Sequence, residues 1–329
     1  MRQIGAGGVA VSEVGFGAWV LGLNWWGEVD ELKAQRLVGA ALDSGITFFD
    51  TADVYGEGRS EELLGSALSG CRDKVAIGSK FGYVISGSRE HSQGERPHDW
   101  RPEAVRASLE NSLRRLGTDW IDLYELHNPR MDAILRDDLF ASLEDLRGEG
   151  KVRAIGVALG PAIGWEAEGV EAIEGRKVDA VQTVFNLLEQ DPGRALAAAA
   201  ARTGTSSLIA RVPHASDVLS EEVDENTEFS AGDHRSHRKR AEIADLVAKK
   251  RAVEFLKDSG RTMGQAALAF VLANPVFASA LVTTVDEDRI AEYAEASSLP
   301  LTGEELARVE ELRSANFGVQ SGYTAVLKS

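Results

Sequence analysis

Eight short apolar runs, most of them separated by stretches with helical periodicity, set the strongest limit on how this chain can fold. They are Val14–Trp19, Ile46–Asp50, Val75–Lys80, Ile121–His127, Ala154–Ala158, Ala180–Val184, Ser207–Arg211 and Ala280–Thr283. Most are rich in Val, Ile or Phe and bounded by Gly, Asp or Ser, the pattern of strands buried on both faces. In the first interval Ala34, Leu37, Val38, Ala41 and Leu42 share one helical face, and Gly45 follows as a stop. Val105, Leu109, Leu113 and Leu116 repeat the pattern between Pro102 and Gly117. Ala195–Ala201 reads as a helix from its alanines, and Thr302-Gly303-Glu304-Glu305 reads as the capping box of the last one.

Strands that alternate with helices pair in parallel, because a parallel pair needs a long crossover. Two closures satisfy that pattern. An open doubly wound sheet that binds a dinucleotide carries Gly-x-Gly-x-x-Gly after its first strand; here Gly15-Phe16-Gly17 begins the motif, but Val20 stands at the third glycine. The expected fold is therefore a (β/α)8 TIM barrel, in one domain over residues 1–329. Gly5-Ala6-Gly7-Gly8 predicts the turn of an N-terminal hairpin that closes the barrel floor. Long loops are expected at the C-terminal face, at about Phe81–Trp100 and Val212–His237, and with the tail Ser314–Ser329 they are expected to govern substrate choice.

Composition excludes several functions. Lys and Arg total 36 against 52 Asp and Glu, a net charge of −16 that repels phosphate backbones and anionic membranes, so neither nucleic acid nor membrane is an expected partner. No apolar run approaches the roughly 18–20 residues of a membrane span, and the start lacks the apolar stretch of a signal peptide, which points to the cytoplasm. The single cysteine, Cys71, excludes an intramolecular disulfide and a cysteine metal cage. His234 and His237, with Asp233 before them, could hold a metal if the segment were helical, but no further strong ligand is evident nearby, so no metal is expected there. Arg238-Lys239-Arg240 reads as the solvated face of a helix.

In a barrel the chemistry sits at the C-terminal ends of the strands. Asp50 ends the second apolar run with Tyr55 just beyond it, Lys80 ends the third and His127 the fourth. A free tyrosine has a pKa of about 10 and donates its proton poorly at neutral pH. A neighbouring ammonium favours the phenolate and lowers that pKa, and a carboxylate such as Asp50 keeps the ammonium charged. A histidine beside them can hydrogen-bond a carbonyl oxygen. The group suits a reaction that places negative charge on a carbonyl oxygen and then protonates it.

The stretch Phe48-Phe49-Asp50-Thr51-Ala52-Asp53-Val54-Tyr55-Gly56, followed by Gly58-Arg59-Ser60-Glu61, closely resembles the signature of the aldo-keto reductases. The resemblance continues through Ile77-Gly78-Ser79-Lys80, Asp122-Leu123-Tyr124-Glu125-Leu126-His127, and Gln182 with Asn186-Leu187-Leu188, from about Val11 to about Ala296. It implies a barrel that binds NADP(H), with NAD(H) as the alternative, and reduces a small aldehyde or ketone. By position it implies Tyr55 as general acid, Lys80 paired with Asp50 to lower its pKa, and His127 to orient the carbonyl.

On the cofactor side the resemblance implies contacts from Gly17, Trp19, Gln182, Arg211, Pro213, Ser216, Thr283, Thr284 and Arg289. Ala158-Leu159 replaces a common Ser-Asn pair, and Arg211 replaces a common aromatic residue. The run Arg211-Val212-Pro213 resembles a bacterial branch of the family. Thr283-Thr284 stands where relatives that prefer NADP carry Lys-Ser, with Arg289 retained. Trp19, Trp25 and Trp26 either line a substrate pocket or pack locally. Two other functions stay open. One is an aldolase-like lyase with a Schiff base on Lys80; the other is a nucleotide-binding regulatory barrel without turnover.

Overall fold

All eight apolar runs form strands that close on themselves. The computed structural model describes residues 1–5, 8–25, 27–85, 96–160, 165–229 and 233–320. An antiparallel hairpin of β1 (Arg2–Ile4) and β2 (Val9–Val11) comes first. The barrel strands follow: β3 (Val14–Gly17), β4 (Phe48–Asp50), β5 (Ala76–Phe81), β6 (Ile121–His127), β7 (Val152–Ala158), β8 (Ala180–Val184), β9 (Ser207–Arg211) and β10 (Phe277–Val282). They pair in parallel in sequence order, and β10 returns to β3 to shut the ring.

The helices between the strands begin and end where local chemistry dictates. The helix Glu31–Asp43 is capped by Asp30, whose side chain accepts from the Lys33 N–H at 2.7 Å. Pro102–Leu116 has proline in its first turn and stops at Gly117, in the left-handed region with φ 63°. Gly303–Ser314 opens with the reciprocal bonds of a capping box: Glu305 N–H to Thr302 Oγ1 at 3.1 Å, and Thr302 N–H to the Glu305 carboxylate at 2.7 Å. The alanine-rich segment lies in the helix Gly193–Thr203.

Several strand ends differ from the sequence expectation by one to three residues, two of them informatively. The first barrel strand stops at Gly17, and Trp19–Gly22 forms a turn of helix. The Ala18 N–H makes the last bond of that strand pairing, to the Asp50 carbonyl at 2.7 Å, and the chain turns helical at the next residue. The last strand starts three residues earlier than expected, at Phe277, whose ring stacks on Phe185 at 4.5 Å. Among its described residues, the segment Val212–His237 is irregular up to a short 3-10 turn, His234–His237, and residues 230–232 lie outside them. Its start is tied to that turn by ion pairs from Arg235 to Asp217 and to Asp233, both at 2.7 Å. Arg238 does not solvate a helix face as expected. It pairs with the buried Glu189 at 2.7 Å and donates to Ser216 Oγ, while Lys239 and Arg240 are exposed.

The hairpin seals one end of the barrel. Ile4 and Val11 are buried against Phe48, Ala76, Leu123, Ala154, Ala180 and Ile209. Arg2 holds it there with hydrogen bonds to the carbonyls of Leu272 and Phe277, both at 2.7 Å, and an ion pair to Glu13 at 2.8 Å. Gly5 and Gly8 flank the hairpin turn at positive φ; Ala6 and Gly7 of the expected turn lie outside the described residues.

Side chains alternate along a strand, so the interior is built in layers. The apolar layer above the hairpin is Phe48, Ala76, Leu123, Ala154, Ala180 and Ile209. Stepping two or four residues along the same strands gives Asp50, Lys80, Glu125, Gln182 and Arg211. A polar tier thus rests on a greasy one, and it is the tier nearest the C-terminal mouth. Glycines make the room: a Cβ on Gly156 would lie 2.9 Å from Glu125 Cγ. Among the described residues no helix is long and apolar enough to cross a membrane.

Candidate active site

Asp50, Lys80 and His127 come from three neighbouring strands, β4, β5 and β6, and Tyr55 from the loop after β4. Lys80 is fully buried. Its Nζ donates to Asp50 Oδ2 at 2.6 Å and to the Thr51 carbonyl at 2.7 Å, and lies 5.2 Å from the centre of the Tyr55 ring. The Tyr55 and His127 rings meet edge to face at 5.7 Å. The structure therefore brings all four residues into one group.

Their electrostatics follow from burial and from one another. Burial is the largest influence on Tyr55 and pushes its phenol above the ordinary value, while the Lys80 ammonium and the Arg211 guanidinium pull it back down. Burial works to neutralise Lys80, but Asp50, Tyr55 and Glu125 together hold it above the ordinary lysine value, so it stays charged. His127 lies well below the usual histidine range, first through burial and then through Lys80, Arg211 and His98. It is a neutral imidazole, and its Nδ1 has no hydrogen-bond partner among the described residues.

The loop after β5 walls this group. Tyr83 stacks on His98 at 4.2 Å and touches the His127 ring at 5.0 Å; His98 in turn stacks on Trp100 at 4.8 Å. Asn128, at φ 53°, donates from Nδ2 to the Tyr83 hydroxyl at 2.7 Å. Residues 86–95 of that loop lie outside the described residues, as does Trp26. Trp19 packs against both Trp25 (5.3 Å) and Tyr55 (6.4 Å), which puts these tryptophans beside the catalytic candidates.

The remaining candidates lie on the other half of the mouth, where β8, β9, β10 and β3 are consecutive in the ring. Gly17 ends β3, and a Cβ there would lie 2.6 Å from Thr283 Oγ1, just after β10. Gln182 Nε2 donates to Asp50 Oδ1 at 2.9 Å and to Glu125 Oε2 at 3.3 Å. Arg211 ends β9 with Pro213 buried just beyond it, and Ser216 accepts from Arg238. Thr284 Oγ1 accepts from the Asp286 N–H at 3.1 Å. Arg289 pairs with Glu292 at 3.2 Å and Glu222 at 3.8 Å. Ala158 and Leu159, after β7, are buried and apolar.

Sequence reasoning overlooked Glu125. It stands two residues before His127 on the same strand and therefore faces the same interior, a signal that was available. Burial pushes its carboxyl well above the ordinary carboxylate range, although Lys80 opposes the shift. Asp53 was also passed over as a titratable group: both its oxygens are buried without partners, and burial next to Glu61 raises it. Among the described residues no group of three or more His, Cys, Asp and Glu side chains is placed to hold a metal; the side chains of His234 and His237 fall outside them.

The model of the Aldo/keto reductase family matches residues 13–314. The chain is 34% identical over 188 residues to Aldo-keto reductase YhdN of Bacillus subtilis, covering 56% of this chain and 53% of that one. It is 36% identical over 167 residues to 6-dehydroglucose reductase of Novosphingobium aromaticivorans, with 48% and 50% covered. The chain thus spans about half the length of these two curated relatives, whereas an uncharacterized oxidoreductase of Bacillus subtilis, YqkF, matches at 26% over 94% of this chain and 95% of its own.

Solved structures agree. The glycerol dehydrogenase AKR11B4 of Gluconobacter oxydans superposes with a TM-score of 0.81 at 26% identity, covering 95% of each chain. The holo form of aldo-keto reductase AKR11C1 of Bacillus halodurans gives 0.75 at 27% identity, over 94% of this chain and 95% of that one. This chain belongs to the aldo/keto reductase family of oxidoreductase enzymes.

Proposed function

We propose that this protein reduces a small aldehyde or ketone with a nicotinamide cofactor, Tyr55 serving as the general acid. The observation that carries the reading is the position of Lys80: locked to Asp50 at 2.6 Å, it lies under the Tyr55 ring with His127 across that ring's edge. Reduced nicotinamide, when bound, supplies a hydride to the carbonyl carbon.

The chain supplies the proton and the field. Tyr55 gives its hydroxyl proton to the carbonyl oxygen as negative charge develops there. Lys80 stabilises the phenolate left behind, and Asp50 keeps Lys80 protonated in a dry interior. His127, being neutral, hydrogen-bonds and orients the carbonyl without competing as the proton source.

The residues on the β8–β9–β10–β3 half of the mouth fit a dinucleotide. Gln182 spends its amide nitrogen on Asp50 and Glu125, which leaves Oε1 to accept from the nicotinamide carboxamide. Trp19, Gly17, Pro213 and Ser216 would frame the cofactor, and Arg211 is uncommitted. For NADP(H), Thr283, Thr284 and Arg289 are the residues for the 2′-phosphate. The turn they share with Asp286, Glu287 and Asp288 is acidic, and Arg289 already has carboxylate partners. That surrounding opposes a phosphate dianion and weighs toward NAD(H).

The test is Tyr55→Phe. Carbonyl reduction should fall by at least ~10²-fold, the scale of a lost general acid, while titration with NADPH and NADH stays near wild type. Retained turnover would remove Tyr55 from its role. Failure of borohydride to trap a carbonyl compound on Lys80 separates this reading from a lyase, and turnover across a carbonyl panel separates it from a binding-only barrel.

A further inference from the structure

We infer that Arg211 makes this site select carbonyl compounds that carry a carboxylate a few carbons from the carbonyl. The inference rests on the reading above that the site reduces carbonyls, and it concerns which ones.

Arg211 is a cation without a counterpart. No hydrogen bond or ion pair joins its guanidinium to another described residue, and its Nε is buried with no acceptor. Other arginines that are largely shielded from solvent are matched: Arg115 by Glu61 at 2.6 Å, Arg238 by Glu189 and Arg235 by Asp217, both at 2.7 Å. Arg211 is half-buried at the end of β9, and a guanidinium nitrogen withdrawn from water without an acceptor is unfavourable unless something else pairs with the group.

The surrounding charges do not supply that match. Arg211 shares its field with Tyr55, Asp50, Glu125 and Tyr83. Asp50 is already bonded to Lys80. Burial raises the Glu125 carboxyl above the ordinary carboxylate range, which works against its serving as a counter-charge, and its Oε2 already accepts from Gln182. The polar tier therefore carries two cations, Lys80 and Arg211, and Asp50 is bonded to the first of them, inside a protein whose net charge is −16. An anionic ligand repelled by the surface as a whole finds its attraction here.

The backbone is strained to hold Arg211 where it is. Val212, a β-branched residue, sits in the left-handed region at φ 55°, which such side chains rarely adopt. Asn186 fixes that geometry by donating from Nδ2 to the Val212 carbonyl at 3.1 Å, while its Oδ1 accepts from the Leu188 and Glu189 N–H groups. Position as well as charge is thus specified. A planar guanidinium fork matches a carboxylate with two parallel bonds. Because Arg211 acts on Tyr55, the proton donor, the carboxylate belongs on the same short molecule as the carbonyl.

The experiment compares 4-oxobutanoate with its methyl ester, by kcat/KM, in wild type, Arg211→Gln and Arg211→Lys. The ratio of acid to ester cancels any change in cofactor binding, which both aldehydes share. Wild type should prefer the acid by about 10- to 100-fold, the scale of a charge-assisted bidentate contact. Arg211→Gln should bring the ratio near unity, and Arg211→Lys should fall between. Equal use of acid and ester by wild type, or a ratio unchanged in Arg211→Gln, overturns the inference.

If wild type reduces neither aldehyde, the carbonyl-reductase reading fails, and binding still decides this one. Pentanedioate should quench the fluorescence of Trp19 and Trp25 in wild type, its dimethyl ester should not, and the response should vanish in Arg211→Gln. No quenching in wild type, or equal quenching in the variant, overturns it. Should Arg211→Gln not fold by its melting curve, Arg211→Lys carries both comparisons.

Discussion

Gln182 on β8 donates to Asp50 on β4 at 2.9 Å, and those two strands stand opposite each other across the barrel. The same nitrogen reaches Glu125 on β6, midway round the ring. The polar tier is therefore tied across its diameter as well as around its rim, and the Asp50–Lys80 pair is braced from the far wall.

Gln182→Leu should cut that brace. Asp50 Oδ1 and Glu125 would each lose a buried donor, at a cost of about 1–3 kcal/mol. Urea unfolding should record the loss as a lower midpoint with an unchanged slope. A variant as stable as wild type would mean the tie carries no weight.

Lys80→Met should be worse. It leaves the buried Asp50 carboxyl without its cation, and breaking such a pair costs about 3–5 kcal/mol. Adding Asp50→Asn should return part of the stability without returning activity, which a double-mutant cycle by thermal unfolding would register.

His127 should not titrate where an exposed histidine does. Its ring is held neutral by burial and by two neighbouring cations, so its Cε1–H chemical shift should stay flat through the ordinary histidine range near 6.5. A midpoint near 6.5 would make it an imidazolium candidate and revise its role.

His214 gives the fold a pH dependence of its own. Burial takes it down to about 4, and its ring packs at a tilt against Tyr293, 4.3 Å between centres. The unfolded chain binds its proton at about 6.5, so stability from this group is complete above that value. It is lost as the pH falls from about 6.5 to 4, by up to about 3 kcal/mol. His214→Gln should flatten the slope of unfolding free energy in that window; an unchanged slope would contradict the assignment.

Neutralising the acidic turn should alter cofactor choice. Glu287→Gln with Asp288→Asn removes two carboxylates from the first turn beside Arg289. NADPH should bind several-fold more tightly, on the scale of about 0.3–1 kcal/mol per charge at a helix terminus, and NADH about as before. A parallel gain for both cofactors would place the 2′-phosphate elsewhere.

The fold was readable because a buried parallel strand is short, apolar and bounded by turn residues, and the eight runs met that description. Strand ends were less so: Gly17 and Trp19 looked continuous, yet the strand pairing ends with the bond from Ala18 to the Asp50 carbonyl and the chain is helical from Trp19. Asp50, Lys80 and His127 could be picked out as polar residues closing apolar runs. Glu125 could not be picked out that way, because it sits inside its run, although counting back by two from His127 reaches it. The solitude of Arg211 was beyond reading, since it depends on where Asp50 and Glu125 spend their bonds. So was the wall of Tyr83, His98 and Trp100, which a loop brings together with no periodic pattern.

The hairpin at the base has a consequence for how the interior exchanges with its surroundings. With Ile4 and Val11 plugged into one end and Arg2 fastening them, the barrel is a cup, open on one side. Lys80 and Glu125 thus sit above an apolar floor, on the side of Tyr55 and Arg211, so a ligand seated against those two residues should slow the exchange of protons with the polar tier.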